Sequence, residues 1–277
     1  MFDDMTLGVI VAIFAISLVA EYFDSTFGMG YGTILTPVML LFGFKLIEVV
    51  PIILFSEFVT GLVAGYTHHS LGNVQLFPKT IHIWTVIRKL IQTKNREDFD
   101  EQIPRHLQVA LVLSLCSVVG VLFSVWLAIK VPTFFLKLYI GILLISLGVV
   151  LLGTANRTFK FSWVRVMGLG LLASFNKGLS GGGYGPVVTG GQILVGVDSK
   201  NTVGITSLAE GITCGVGVLF YMLAGKSVNW SLTLVIMAGS IAAIPLCAIA
   251  VRSIPVRYFR KGIAISTLVL GIFTLSK

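Results

Sequence analysis

Two glutamates, one lysine and a pair of glycine blocks are the parts of this chain able to do chemistry in an apolar setting. Glu57 and Glu210 each lie about two helical turns into a long apolar run, near the midplane of any bilayer those runs cross. An ionisable side chain at that depth costs several kcal/mol unless it is paired, hydrated or protonated, so both are candidates for proton exchange. A carboxyl there can also brace backbone donors freed by a broken helix, and the two roles are compatible. Lys177 is the only basic residue close to a glycine block, which makes it the first candidate for neutralising a bound anion. Asp24 occupies the matching place before the other block, so an Asp24–Lys177 pair or a lysine reaching toward the interface are the competing readings.

The blocks themselves are Gly28-Met29-Gly30-Tyr31-Gly32 and Gly181-Gly182-Gly183-Tyr184-Gly185. Glycines grouped inside an apolar run let the backbone leave helical geometry and approach a ligand, and the N–H groups of the next helix then point into the gap. Such a helix start favours an anion. Thr26, Thr33, Thr36, Asn176, Ser180, Thr189 and Gln192 surround the blocks and supply neutral donors suited to a small oxyanion. Close helix packing through small residues is the plainer explanation of membrane glycines, but it does not require the same pattern twice.

Other chemistries find little support. No Gly-Lys-Ser/Thr ending follows the glycines, which removes a nucleotide-phosphate loop. His68 and His69 lack a His-Glu-x-x-His pattern or any neighbouring Cys/His cluster and read as interfacial histidines rather than metal ligands. Cys116, Cys214 and Cys247 are far apart in apolar runs and read as buried free thiols. Cys214 follows Glu210 by one helical turn, which would set it beside that carboxyl. Neither an enzyme, a resident metal nor a cofactor is expected.

The elements that must position these residues follow from composition. With 56% hydrophobic and 12% charged residues and a mean hydropathy of +0.96, the chain cannot cover a soluble surface. It reads as an integral membrane protein. The net charge of +8 lies in short connections rather than on one face, so nucleic acid is excluded and the basic residues orient the chain among lipid headgroups. The first run, Leu7 to Tyr22, follows Asp3 and Asp4 rather than a basic stretch and reads as a retained helix.

Apolar runs are expected at 7–22, 32–44, 49–66, 107–129, 134–152, 164–174, 185–197, 202–224, 232–251 and 263–275. The runs at 32–44 and 185–197 are too short to cross a hydrocarbon core of about 30 Å, so each reads as a half-helix entered through an unwound glycine block. The register that superposes the blocks also superposes Thr36 on Thr189, Gly43 on Gly196, Ile52 on Ile205, Glu57 on Glu210 and Thr60 on Thr213. This internal duplication divides the chain into an N-terminal repeat, 1–153, and a C-terminal repeat, 154–277.

Five segments per repeat, the second of each broken, force the copies into opposite orientations. The fold class is therefore all-α, with two inverted repeats in the membrane. Fourteen of the twenty Lys and Arg residues then fall on one side, against eleven if the short segments dip in and return. The larger bias favours crossing, with both termini outside. The 77–106 loop has no counterpart in the second repeat, and its 81–90 stretch reads as an interfacial amphipathic helix.

Residues 28–37 and 181–190, with Gly72-Asn73-Val74 closing the third segment, resemble the TauE/SafE family of sulfite and organosulfur anion exporters, also called the four-toluene-sulfonate uptake permease family. The resemblance spans nearly the whole chain. It implies two inverted repeats and movement of a small sulfur-containing anion, sulfite first, across a bacterial plasma membrane. The site would lie at the midplane between repeats. Thiosulfate fits less well, because relatives that pass it use cysteines along the path and none adjoins a glycine block here. A membrane potential negative inside drives an anion outward, which favours export. A proton-coupled importer of sulfonate, thiosulfate or carboxylate is the alternative, and an anion channel a further one. A homodimer is compatible with the sequence.

Overall fold

The computed structural model describes residues 6–44, 46–77, 103–128, 133–154, 156–157, 159–180, 184–223 and 228–276. All regular structure among them is helical: α1 (Leu7–Phe27), α2 (Tyr31–Leu41), α3 (Leu46–Ser70), α4 (Arg105–Ala128), α5 (Thr133–Gly153), α6 (Trp163–Ser180), α7 (Tyr184–Leu194), α8 (Ser199–Leu223), α9 (Trp230–Ser253) and α10 (Val256–Ser276). Five are long and apolar enough to cross a membrane, namely α1, α3, α8, α9 and α10. The expected 81–90 helix lies outside the described residues.

Burial on α1 departs from that of a helix in a soluble bundle. On α1 the inward stripe is Ile13, Ser17, Ala20, Glu21, Ser25 and Thr26, at helical spacing, while Leu7, Val11, Val19 and Phe23 are exposed. Small and polar residues face the interior and large apolar ones face outward, as expected where lipid replaces water and no hydrophobic gain comes from turning leucine inward. Of the five spans α8 is the most enclosed, followed by α3 and α9.

Glycines set how close the helices come. A Cβ on Gly61 of α3 would meet the Ser207 carbonyl oxygen at 2.6 Å and Gly211 Cα at 2.8 Å, so α3 and α8 cross with their backbones in contact. The main packing pairs are α4 with α6, α3 with α8, α5 with α10 and α1 with α9.

The two short helices are packed unequally. Every residue from Tyr184 to Ile193 of α7 is buried, and α7 touches α5, α6, α8 and α10. The principal neighbours of α2 are α1 and α3, and Thr33, Ile34 and Thr36 remain half-buried.

α1 stops at Phe27 because Gly28 adopts a left-handed conformation (φ 71°), its N–H donating to the Asp24 carbonyl. Gly30 also has positive φ (117°), and α2 starts at Tyr31. Gly32 and Gly185 therefore lie inside helices rather than in unwound chain. Gly181, Gly182 and Gly183 lie outside the described residues.

Candidate functional site

The close crossing of α3 and α8 brings Glu57 and Glu210 to a single lysine. Glu57 lies one turn before Gly61, and Glu210 adjoins Gly211. Lys177, near the end of α6, donates to Glu57 Oε2 at 2.9 Å and to Glu210 Oε1 at 2.7 Å. All three residues are buried. Two carboxyls share one ammonium, which can balance only one negative charge, and any of the three left alone at this depth would be strongly unfavourable. Cys214 donates its thiol to Glu57 Oε2 at 3.1 Å.

The Lys177 geometry replaces two of the expected arrangements. Its ammonium neither pairs with Asp24 nor reaches the surface; the two glutamates hold it. Asp24 Oδ1 instead accepts the Tyr31 N–H at 3.4 Å and caps the start of α2. Cys214, one turn beyond Glu210, thus reaches the Glu57 carboxyl as well, because α3 packs on that face of α8.

Gly28 and Gly185, one from each glycine block, meet close by. A Cβ on Gly185 would stand 2.5 Å from the Gly28 carbonyl oxygen and 2.9 Å from Met29 Cα, so only hydrogen fits between the first block and α7. Thr189 fixes the contact by donating to the Gly28 carbonyl at 2.9 Å. With that proton committed, Thr206 must donate to Thr189 Oγ1, 3.0 Å away, and it accepts from Gln192 Nε2 at 2.8 Å. The result is a directed hydrogen-bond chain from α7 through α8 to the first block. Among the described residues Gln192 Oε1 is buried without a hydrogen-bond partner.

The paired tyrosines are fully buried. Tyr31 shares its hydroxyl with Ser56 at 2.6 Å and Ser240 at 3.0 Å, and the Tyr184 hydroxyl lies 3.2 Å from Ser117 Oγ. Asn176 is buried next to Lys177 in the chain, Thr33 and Thr36 lie along α2, and Ser180 ends α6. The structure thus gathers Lys177, Glu57 and Glu210 into one cluster, and Gly28, Gly185 and Thr189 into an adjoining one.

Sequence reasoning placed two groups wrongly. His68 is fully buried rather than interfacial: its Nε2–H donates to the Ser25 carbonyl at 2.9 Å, while Nδ1 accepts from Asn73 Nδ2 at 3.0 Å. Asn73 also donates to the Ala248 carbonyl at 2.8 Å, tying α1, α3 and α9 together. Cys116 is partly exposed, unlike Cys214 and Cys247. Ser56, Ser117, Thr206 and Ser240 went unmarked, since hydroxyls spaced along apolar helices carry no signal until their partners are known. Among the described residues no group of His, Cys, Asp and Glu could hold a metal ion.

Comparison with known proteins identifies the family. The profile described as "Sulfite exporter TauE/SafE" matches residues 13–87 and 101–274. A Bacillus subtilis (strain 168) protein described as "Probable membrane transporter protein YtnM" is 25% identical over 248 residues, covering 84% of this chain and 71% of its own length. No solved structure matches the chain. With the profile spanning most of an all-helical, strongly apolar molecule, this chain belongs to the sulfite exporter TauE/SafE family of membrane transporters.

Proposed function

We propose that the protein is a secondary transporter that exports a small sulfur-containing anion, sulfite first, across a bacterial plasma membrane by alternating access at a site between two inverted repeats. The observation that carries this reading is the buried Lys177 held between Glu57 and Glu210, close to the contact of Gly28 with Gly185. An arriving anion offers Lys177 a partner in place of a carboxylate. A glutamate released from the ammonium then needs a proton, which links anion binding to protonation.

The duplication is supported by the packing pairs. Exchanging α1–α5 for α6–α10 in order turns the α4–α6 pair into α9–α1, and leaves α3–α8 and α5–α10 unchanged. Two inverted copies related by a two-fold axis in the membrane plane would pack in this manner. Odd segment number per copy and the basic connections put both termini outside. Outward movement needs no coupling ion, since the membrane potential contributes about 2.3 kcal/mol per charge per 100 mV.

Proteoliposomes loaded with radiolabelled sulfite test the reading. Saturable flux with counterflow is expected, and Glu57→Gln and Glu210→Gln should each alter its pH profile while keeping the fold. Unsaturating flux would make the protein a channel. Absence of flux with sulfite, thiosulfate and sulfonates alike would sink the proposal.

A further inference from the structure

We propose that Glu21 of α1 is a proton-binding site, holding one proton in the buried state and releasing it as the protein turns to face water. Its use in transport rests on the function proposed above; its protonation does not.

The inference starts from a charge count. Among the described residues Glu21, Glu57 and Glu210 are buried carboxyls at 2%, 5% and 8% exposure, and Lys177 is the buried ammonium at 6%. Lys177 is already committed to Glu57 and Glu210. No ion pair reaches Glu21 among those residues. Its neighbours are hydroxyls: Ser25, one turn on, donates to Glu21 Oε1, and Thr60 of α3 stands beside the carboxyl. Two hydroxyl donors do not replace a counter-charge for a carboxylate shut away from water, and a bound proton removes the need for one.

The groups facing Glu21 add no positive charge. Asp24 lies on α1, Tyr31 on α2, Glu57 and His68 on α3, Glu210 on α8 and Cys247 on α9. His68 donates through Nε2 and accepts through Nδ1, which is the neutral ring. α10 meets α1 near Phe27, and its Arg260 turns to the Thr154 carbonyl, with Arg257 and Lys261 exposed.

Packing alone does not call for an acid at this place. The register that superposes the glycine blocks puts Ser174 of α6 where Glu21 stands on α1. Ser174 is buried too, and it donates to the Gly170 carbonyl at 2.7 Å with the Cys116 carbonyl at 3.3 Å. A serine fills the position with nothing titratable. The same register sets Lys177 against Asp24, so the α1 face has become acidic and the α6 face basic. One face suits a proton and the other an anion.

Transfer requires only the O–H bond at Glu21. It breaks when an aqueous vestibule reaches α1, the proton going to water and the electron pair staying on the carboxylate. It re-forms from water on the opposite side.

Two measurements decide the matter. Infrared spectra of the purified protein at neutral pH should contain the C=O stretch of a protonated carboxylic acid, shifted in D2O and weakened in Glu21→Gln. In proteoliposomes with an internal pH dye, methanesulfonate provides a probe that carries no proton of its own. Proton movement with methanesulfonate should fall below the wild-type level in Glu21→Gln, while the probe still raises the melting temperature. Glu21→Asp keeps the acid and should keep the band. Identical acid bands in wild type and Glu21→Gln would overturn the proposal, as would a folded Glu21→Asp without one where the Gln variant fails to fold. Failure of methanesulfonate to bind or move would count against the transport reading alone, since the infrared band is read without it.

Discussion

Replacing Lys177 by methionine removes the ammonium and keeps the length of the side chain. At 2.9 and 2.7 Å, and with an effective dielectric near 20, each contact with Glu57 or Glu210 amounts to about 6 kcal/mol of Coulomb attraction. Much of that offsets the cost of taking three charges out of water, and breaking a buried pair by deleting one partner costs ~3–5 kcal/mol. For a chain of this size that corresponds to a melting temperature lower by on the order of 10 °C. The deficit should shrink as pH falls, because protonated carboxyls need no counter-charge. The triple variant Lys177→Met, Glu57→Gln, Glu210→Gln has no charge left to strand, so it should melt within a few degrees of wild type while binding no anion. Thermal unfolding in detergent across a pH series, followed by intrinsic fluorescence, measures all of this. A Lys177→Met protein as stable as wild type at pH 8, or a triple variant as unstable as the single one, would refute the reasoning.

Two backbone contacts and one polar tie give further expectations. Gly185→Ala places a methyl group against the Gly28 carbonyl and Met29 Cα, where backbone cannot yield as a side chain can, and should cost ~1–3 kcal/mol by thermal unfolding. Gly61→Ala should cost a similar amount and also separate Glu57 from Lys177, so its loss of anion affinity in a titration should exceed that of Gly65→Ala, which meets mainly side chains. Asn73→Ala strands His68 Nδ1 and the Ala248 carbonyl, and a loss of ~1–3 kcal/mol with faster amide exchange at the junction of α3 and α9 is expected.

The sequence marked the helices more clearly than their ends. The run expected at 7–22 continues as α1 to Phe27, and that expected at 164–174 continues as α6 to Ser180. In both, the hydropathy drops where Glu21, Ser25 and Thr26, or Asn176 and Lys177, turn inward, so polarity signalled the interior rather than an end. α10 begins at Val256, ahead of Arg257, Arg260 and Lys261, which a hydropathy reading assigned to a connection. Duplication singled out Glu57 and Glu210, because equal register in two copies is visible in one dimension. Their common partner was not visible, since Lys177 reaches them only through the contact of α3 with α8 at Gly61 and Gly211. His68 was misread for a related reason: its partner Ser25 comes from α1, and Asn73, which also holds the ring, is itself tied to Ala248 of α9.

The unequal packing of α7 and α2 bears on the energy of the transport cycle. If the halves are copies, the helix pair α5–α10 has two equivalent seats, one against α7 and one against α2, and in this structure it occupies the first. Moving the pair across would expose apolar surface on α7 and cover a similar surface on α2, because Tyr184, Val188 and Thr189 answer to Tyr31, Leu35 and Thr36 in the shared register. Gains and losses of burial then nearly cancel, leaving two conformations of comparable free energy. A difference of one or two kcal/mol, the scale of a single proton or a bound anion, is then enough to choose between them.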